Sequence, residues 1–416
     1  MENKLCRVCN SPDLEFFLDL GEQPHGDSFI SEDMLSNQEP TYPLKTCFCR
    51  SCATVQINYT VPKEEMFEHY LYVSGTTRTL KKHFQDTTNG LIKFLSLSKG
   101  DFVVDIGSND GTWLETYAGT GIKTLGIDGA KNLAEVANKK GIETWPVFFD
   151  EEIAAKIIEE YGEANLVTAA GVFFHLEELH SVTAGIAKLI GSSGTFCIQA
   201  IYLGGMIGEN KFDQIYHEHL TYWTLTTVQK LLEMHKLEIY DAKFIPVHGG
   251  SIEILAAKKH TKVVNQNVKK ILQEEINKGL SKIQTYQAFA QRVWAIKDDL
   301  LRVLDGLVKN NKIVFALGAP IKGSTLLNSF KIGPDLVTCA LEINPLKIGK
   351  YIPGVRIPIV DEADCILPDV YLALAWNFLP ELINKNLKFL EKGGEILVPF
   401  PSPFFINKSN YVKYIT

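Results

Sequence analysis

The chain reads as an α/β protein in three parts: a small cysteine-rich segment, then two regions in which strands and helices alternate. Three observations predict this. Residues 1 to about 70 are rich in cysteine and proline and hold only short strand-like runs such as Thr54-Val-Gln-Ile-Asn58. From about Leu71 to His260, helical periods separate the apolar runs Phe102–Ile106, Thr124–Ile127, Leu166–Ala170 and Gly194–Ile198. That alternation is the mark of a doubly wound parallel sheet. A second alternating region begins at Lys312-Ile-Val-Phe-Ala316 and continues through Leu336-Val-Thr-Cys-Ala340. Between the two, a helical stretch from about Val263 to Lys309 repeats Ala290, Val293, Ile296, Leu300 and Leu304 at helical spacing. The expected domains are 1–70, 71–260 and 261–416.

Size agrees, because 416 residues exceed what one core organises. The composition, 45% hydrophobic and 22% charged, is that of an ordinary globular protein. A net charge of −7 argues against nucleic-acid binding, which calls for a basic face. The apolar run Val370–Trp376 is too short to span a bilayer, so no membrane partner is expected. The first residues, Met1-Glu-Asn-Lys-Leu-Cys6, hold no apolar signal core. A cytoplasmic monomer is the expectation.

The first segment carries Cys6-x-x-Cys9 and Cys49-x-x-Cys52, with Cys47 as a bystander. Paired CxxC knuckles bring four thiolates into tetrahedral reach, the preferred structural site for zinc. With sulfur at all four positions the ion has no open coordination site and is not catalytic.

The second region opens with Val103-Val-Asp-Ile-Gly-Ser-Asn-Asp-Gly111, a strand and a glycine-bearing turn, with a helix expected from near Thr112. Gly107 and Gly111 let the backbone approach a ligand closely. Their spacing is GxxxG, which disfavours the GxGxxG of nicotinamide cofactors. Asp128 ends the next strand, where a carboxylate takes ribose hydroxyls in doubly wound folds. Asp105, Gly107, Ser108, Asn109, Gly111 and Asp128 together resemble the first two motifs of class I S-adenosylmethionine-dependent methyltransferases.

The densest chemistry lies in Phe212-Asp-Gln-Ile-Tyr-His-Glu-His-Leu-Thr-Tyr-Trp-Thr224. Tyr216, His217, Glu218 and His219 stand in a row between apolar residues that fix them at a domain wall. Partial burial brings such groups towards working pH, as an acid/base site requires.

Further motifs follow in order: Val247-His-Gly-Gly-Ser251, Gly318-Ala-Pro-Ile-Lys-Gly323, Asn344 to Gly354, and Leu374-Ala-Trp-Asn-Phe378. With the knuckles and the glycine turn, this set resembles the sugar C-methyltransferases that act on nucleotide-linked 4-keto sugars. The likeness runs along the whole chain and is greatest to the C-3′-methyltransferases of deoxysugar pathways. It implies a zinc-binding N-terminal domain, a class I methyltransferase domain and a Rossmann-like C-terminal domain for the nucleotide. It also implies S-adenosylmethionine as methyl donor and a nucleotide-diphospho-4-keto sugar as acceptor. A base removes the hydrogen next to the ketone, and the resulting enolate takes the methyl. By resemblance His219 is the base, while Tyr216, Glu218, Tyr72 and His175 orient it or bind the sugar. The turn ahead of Lys322 is a candidate for the pyrophosphate, with Lys347 and Lys350 as further cations. The chain departs from the family pattern at Gly171, Gln199 and Glu253, where asparagine, glutamate and arginine are frequent. Two rival readings are O- or N-methylation of a small metabolite, and a zinc-stapled binding module without chemistry.

Overall fold

The computed structural model describes the chain apart from residues 64, 65, 67–72, 77, 365 and 416. Tyr72, one of the expected site residues, lies outside the described residues. The N-terminal region supplies strands β1 (Leu14–Gln23), β2 (Tyr42–Cys49) and β3 (Val55–Ile57). The central region supplies β4 (Phe102–Ile106), β5 (Lys123–Ile127), β6 (Thr144–Trp145), β7 (Leu166–Ala170), β8 (Thr195–Ile201), β9 (Thr221–Tyr222), β10 (Leu237–Ile245) and β11 (Ser251–Lys258). The C-terminal region adds β12 (Val314–Leu317), β13 (Cys339–Glu342), β14 (Ile359–Asp361), β15 (Val370–Ala373), β16 (Glu395–Val398) and β17 (Phe404–Ile406). Among the described residues, no helix is long and apolar enough to cross a membrane.

These strands form three sheets, ordered β1-β2-β3-β9, β10-β11-β8-β7-β4-β5-β6 and β14-β13-β12-β15-β16-β17. In the central sheet β8, β7, β4, β5 and β6 run parallel, as the alternation predicts. The other two strands correct it: β10 and β11 are antiparallel, so the sheet is mixed. Their connection, Pro246 to Gly250, is a tight turn with Gly249 and Gly250 at φ +83° and +116°. A hairpin of this kind joins only antiparallel strands. The C-terminal sheet is parallel except for β17.

Three local expectations are corrected. No α-helix starts near Thr112; a 3₁₀ turn, Leu114–Tyr117, takes its place. Glycines at φ +79° and +76° (Gly119, Gly121) close that loop before a second turn can form. Trp113 is also held outward from the turn, stacked 5.0 Å from Phe84 with its indole N–H on Thr88. Secondly, the helical stretch 263–309 is two helices, Gln266–Asn277 and Ile283–Lys309, parted at Gly279 (φ +66°). The first lays Val268 and Ile271 on the central core, and the second turns Tyr286, Phe289 and Val293 to the N- and C-terminal sheets. Thirdly, β13 begins at Cys339 rather than Leu336, because the amides of Leu336 and Val337 are spent on the turn carbonyl of Gly333.

Burial shows how the parts join. Leu18, Leu44, Phe48 and Ile57 of the first sheet share one core with the long helix and the C-terminal sheet. Cys6, Val8, Cys49 and Cys52 belong instead to the core of the central sheet. The N-terminal region is thus a wedge between the other two, and β9 locks it by pairing with β3.

Candidate active site

The four cysteines come together as their spacing predicts. Sγ of Cys6 lies 3.4 Å from that of Cys52, and Sγ of Cys9 3.6 Å from that of Cys49. All four sulfurs lie within 4.8 Å of one another. Tetrahedral zinc with Zn–S bonds of about 2.3 Å needs sulfurs about 3.8 Å apart, so the group fits the ion. Cys47 stands aside and bonds the carbonyl of Gln56. None of the four cysteines lines the cavity described next.

A cavity of about 1100 Å³ opens where the central parallel strands end, walled by all three regions. Ligands sit at this edge in doubly wound folds. The volume exceeds the roughly 300–1000 Å³ of a single-ligand pocket, leaving room for two substrates.

On one side lies the glycine turn. Gly107 (φ +70°), Asn109 and Asp128 line the cavity. Asp128 Oδ2 accepts from the amide of Asn109 at 2.7 Å and Oδ1 from that of Ala130 at 2.8 Å. Each oxygen keeps a lone pair for a ribose hydroxyl. Gly129 has no side chain beneath the ring of Phe148, which a Cβ there would strike at 2.2 Å. An acceptor pair beside an aromatic slot fits the ribose and base of S-adenosylmethionine. Asp105, Ser108 and Gly111 do not line the cavity. Asp105 accepts from Thr168 at 2.6 Å, and burial pushes its carboxyl up to about 7. Gly111 packs tightly against Ile142. Of the six expected cofactor residues, Gly107, Asn109 and Asp128 line the cavity and these three do not.

On the other side lies the Tyr-His-Glu-His stretch. His219 lines the cavity and is 3% exposed. Its ring sits 3.9 Å from that of Tyr216 and 4.4 Å from that of Phe174. Nδ1 donates to the carbonyl of Gln214 at 2.7 Å, which leaves Nε2 with the lone pair. His175, 5.1 Å away ring to ring, is held alike: its Nδ1 donates to the carbonyl of Glu218 at 2.6 Å. Burial pulls both imidazoles below the usual histidine range, His219 strongly, so each is neutral at pH 7. Burial likewise keeps the Tyr216 phenol protonated. The Glu218 carboxylate does not reach the cavity; it lies 3.4 Å from His25 Nε2. Its main-chain carbonyl orients His175. His217 turns away to an edge contact with Tyr42.

The C-terminal region closes the wall. Lys322 hydrogen-bonds Asn377 and sits 4.0 Å over the ring of Trp376. Burial pulls its amine down to about 8, opposed by Asp213. Asp213 in turn takes the indole N–H of Trp376 at 2.6 Å. This tie between the His-rich stretch and the last domain was not legible in sequence, since its two partners stand 163 positions apart. At the turn before Lys322, the amide of Ala319 is held by Glu342 at 3.2 Å. The amides open to an anion are therefore those of the helix Ile321–Phe330 itself.

Two of the departures from the family pattern are neighbours in the fold. Gln199 and Glu253 are register partners on β8 and β11, and the Gln199 amide donates to Glu253 at 2.8 Å. Glu253 also pairs with Lys243, and His83 donates to the Gln199 oxygen at 2.9 Å. A glutamate at 199 would repel Glu253, so the amide and the acid are matched. Gly171 (φ +70°) borders open cavity, with only His248 at 4.0 Å from a built Cβ.

Comparison with known proteins assigns the chain. The C-methyltransferase C-terminal domain matches residues 246–401, a zinc binding domain residues 6–67, and a methyltransferase domain residues 67–242. C-methyltransferase NovU of Streptomyces niveus is 34% identical over 405 residues, covering 97% of this chain and 96% of that protein. PH0226 protein from Pyrococcus horikoshii OT3 is 15% identical, covering 47% of this chain and 98% of that one with a TM-score of 0.37. Magnesium protoporphyrin IX methyltransferase from Synechocystis PCC 6803 is 15% identical, covering 43% and 83% with a TM-score of 0.35. These two likenesses are too distant to bear on the site. Matched along nearly its whole length by a C-methyltransferase, with the three domain families in order, the chain belongs to the C-methyltransferase family and is an S-adenosylmethionine-dependent enzyme with a zinc-binding N-terminal domain.

Proposed function

We propose that the enzyme methylates the ring carbon beside the ketone of a nucleotide-diphospho-4-keto sugar, through an enolate. The observation that carries this reading is the buried imidazole pair, His219 and His175, each with Nδ1 tied to a main-chain carbonyl. Such a pair presents unprotonated Nε2 atoms to a cavity large enough for both substrates. O- or N-methylation of a small metabolite would need no deprotonation beside a ketone.

S-adenosylmethionine supplies an electrophilic methyl when bound; Asp128, Asn109 and the Gly107 turn would hold it. His219 Nε2 takes the ring proton, and the Gln214 carbonyl steadies the imidazolium that forms. The Tyr216 hydroxyl is the donor for the developing enolate oxygen. His175 binds the sugar at the same wall, its ring set by the Glu218 carbonyl. The first-turn amides of Ile321–Phe330, with Lys322 and Lys347, take the pyrophosphate. We divide the chain at 1–70, 71–260 and 261–416, with the helix Gln266–Asn277 lying back on the central sheet.

A panel of 4-keto sugar nucleotides, assayed by mass for a gain of one CH2, tests the function. Turnover of at least one member is expected; methyl transfer only to hydroxyl or amine acceptors would refute it.

Asp128→Ala should weaken S-adenosylmethionine binding roughly tenfold or more, the scale of one or two hydrogen bonds to a charged group. Titration calorimetry reads it, with sugar-nucleotide affinity as the internal control. Unchanged cofactor affinity would place the ribose elsewhere.

A further inference from the structure

We infer that Asp27, from the N-terminal zinc-binding region, is a specificity residue whose carboxylate accepts a hydrogen bond from a ring hydroxyl of the sugar. The inference rests on the substrate proposed above.

The turn Pro24-His25-Gly26-Asp27-Ser28 leaves the first sheet and enters the cleft between the other two. It is closed by the Ser28 amide on the His25 carbonyl at 3.1 Å. Gly26 is pressed against the helix Ile321–Phe330, where a Cβ would meet Ile321 Cγ2 at 2.6 Å. Gln23 bonds Ser329 of that helix at 2.9 Å, and Ile30 bridges to Tyr351. His25 reaches the opposite way, to Glu218 in the His-rich stretch. The turn is thus gripped at both ends, and Asp27 stands on the cavity wall between them.

Its carboxylate differs from its neighbours on that wall. Asp128 and Glu342 hold backbone amides, Glu178 pairs with Lys63, and Glu362 pairs with Lys385. Among the described residues, no hydrogen bond or ion pair reaches Asp27. Half-buried on the cavity wall, its carboxylate is left open to a donor from a ligand. Burial pushes the acid up to about 6, with Lys347 opposing and Glu218 adding.

Position names the ligand's part. With the base at His219 and the pyrophosphate at the helix Ile321–Phe330, the sugar ring must span the gap that Asp27 faces. Local charge names its chemistry. Lys347 and Lys350 already offset the charge of Asp27, and His25 faces Glu218. A neutral hydroxyl completes this balance, whereas an ammonium would overfill it.

Steady-state kinetics of Asp27→Ala and Asp27→Asn on an accepted 4-keto sugar nucleotide test the inference. Asp27→Ala should raise the sugar KM about tenfold or more, the loss of a hydrogen bond to a charged acceptor, with kcat within about threefold. Asp27→Asn keeps an acceptor and should raise KM only a few-fold. Zinc content, thermal midpoint and S-adenosylmethionine affinity should match the wild type in both. A wild-type KM in Asp27→Ala overturns the inference, as does a fall in kcat at unchanged KM. Equal losses in the two variants would make the donor a cation and overturn the hydroxyl. If the wild type itself turns over no 4-keto sugar nucleotide, the substrate reading fails first and this one with it.

Discussion

Replacing His219 with asparagine or alanine should lower turnover about a hundredfold or more, the usual contribution of a positioned base. Its ring is buried between Tyr216 and Phe174, with Nδ1 fixed on Gln214. Neither replacement offers a basic nitrogen there. Both substrates should still bind, because the methyl donor is held at Asp128 and the nucleotide by the C-terminal domain. Rapid-quench turnover together with calorimetric titration of each ligand separates the two effects. Near-wild-type turnover would move the base to His175, whose lone pair is exposed by the same device.

Loss of the zinc site should be the largest blow to stability. Structural zinc contributes about 10–16 kcal/mol to the folding of small peptides. That is comparable with the whole stability of an ordinary domain, about 5–15 kcal/mol. The cluster also anchors its neighbours. Cys6, Val8 and Cys49 are fully buried in the central core, Lys230 bonds the Cys52 carbonyl, and His180 donates to that of Val8. Protein purified without added zinc should carry about one equivalent. Cys49→Ala should lose it and melt well below the wild type, before the chemistry is altered. Metal analysis beside scanning calorimetry checks this. A zinc-free variant with unchanged melting would refute a structural role.

The parts most legible in sequence were those with short-range signatures. Two CxxC pairs gave the zinc cluster, because thiolate spacing within a knuckle is set locally. The run from Val103 to Gly111 gave its strand and turn for the same reason. Periodicity gave the alternating regions but not the sense of β10 and β11, since a helix precedes β10 just as it precedes a parallel strand. The helix expected at Thr112 failed because its loop is closed by glycines whose geometry only the fold reveals. Within the site, the four-residue polar row looked like one constellation. Main-chain geometry divides it: His219 and Tyr216 face the cavity, Glu218 faces His25, and His217 faces Tyr42. The roles of Asp213 and Asp27 were not legible, as each acquires its setting from residues far away in sequence.

The most direct test of the account follows the ring hydrogens themselves. An accepted 4-keto sugar nucleotide is prepared with deuterium on both ring carbons flanking the ketone, and the methylated product is weighed by mass spectrometry. Deprotonation by His219 followed by carbon methylation predicts that each methyl gained is matched by the loss of one deuterium, and that His219→Asn forms no such product at a comparable rate. A product that gains the methyl and keeps both deuterium atoms would contradict it.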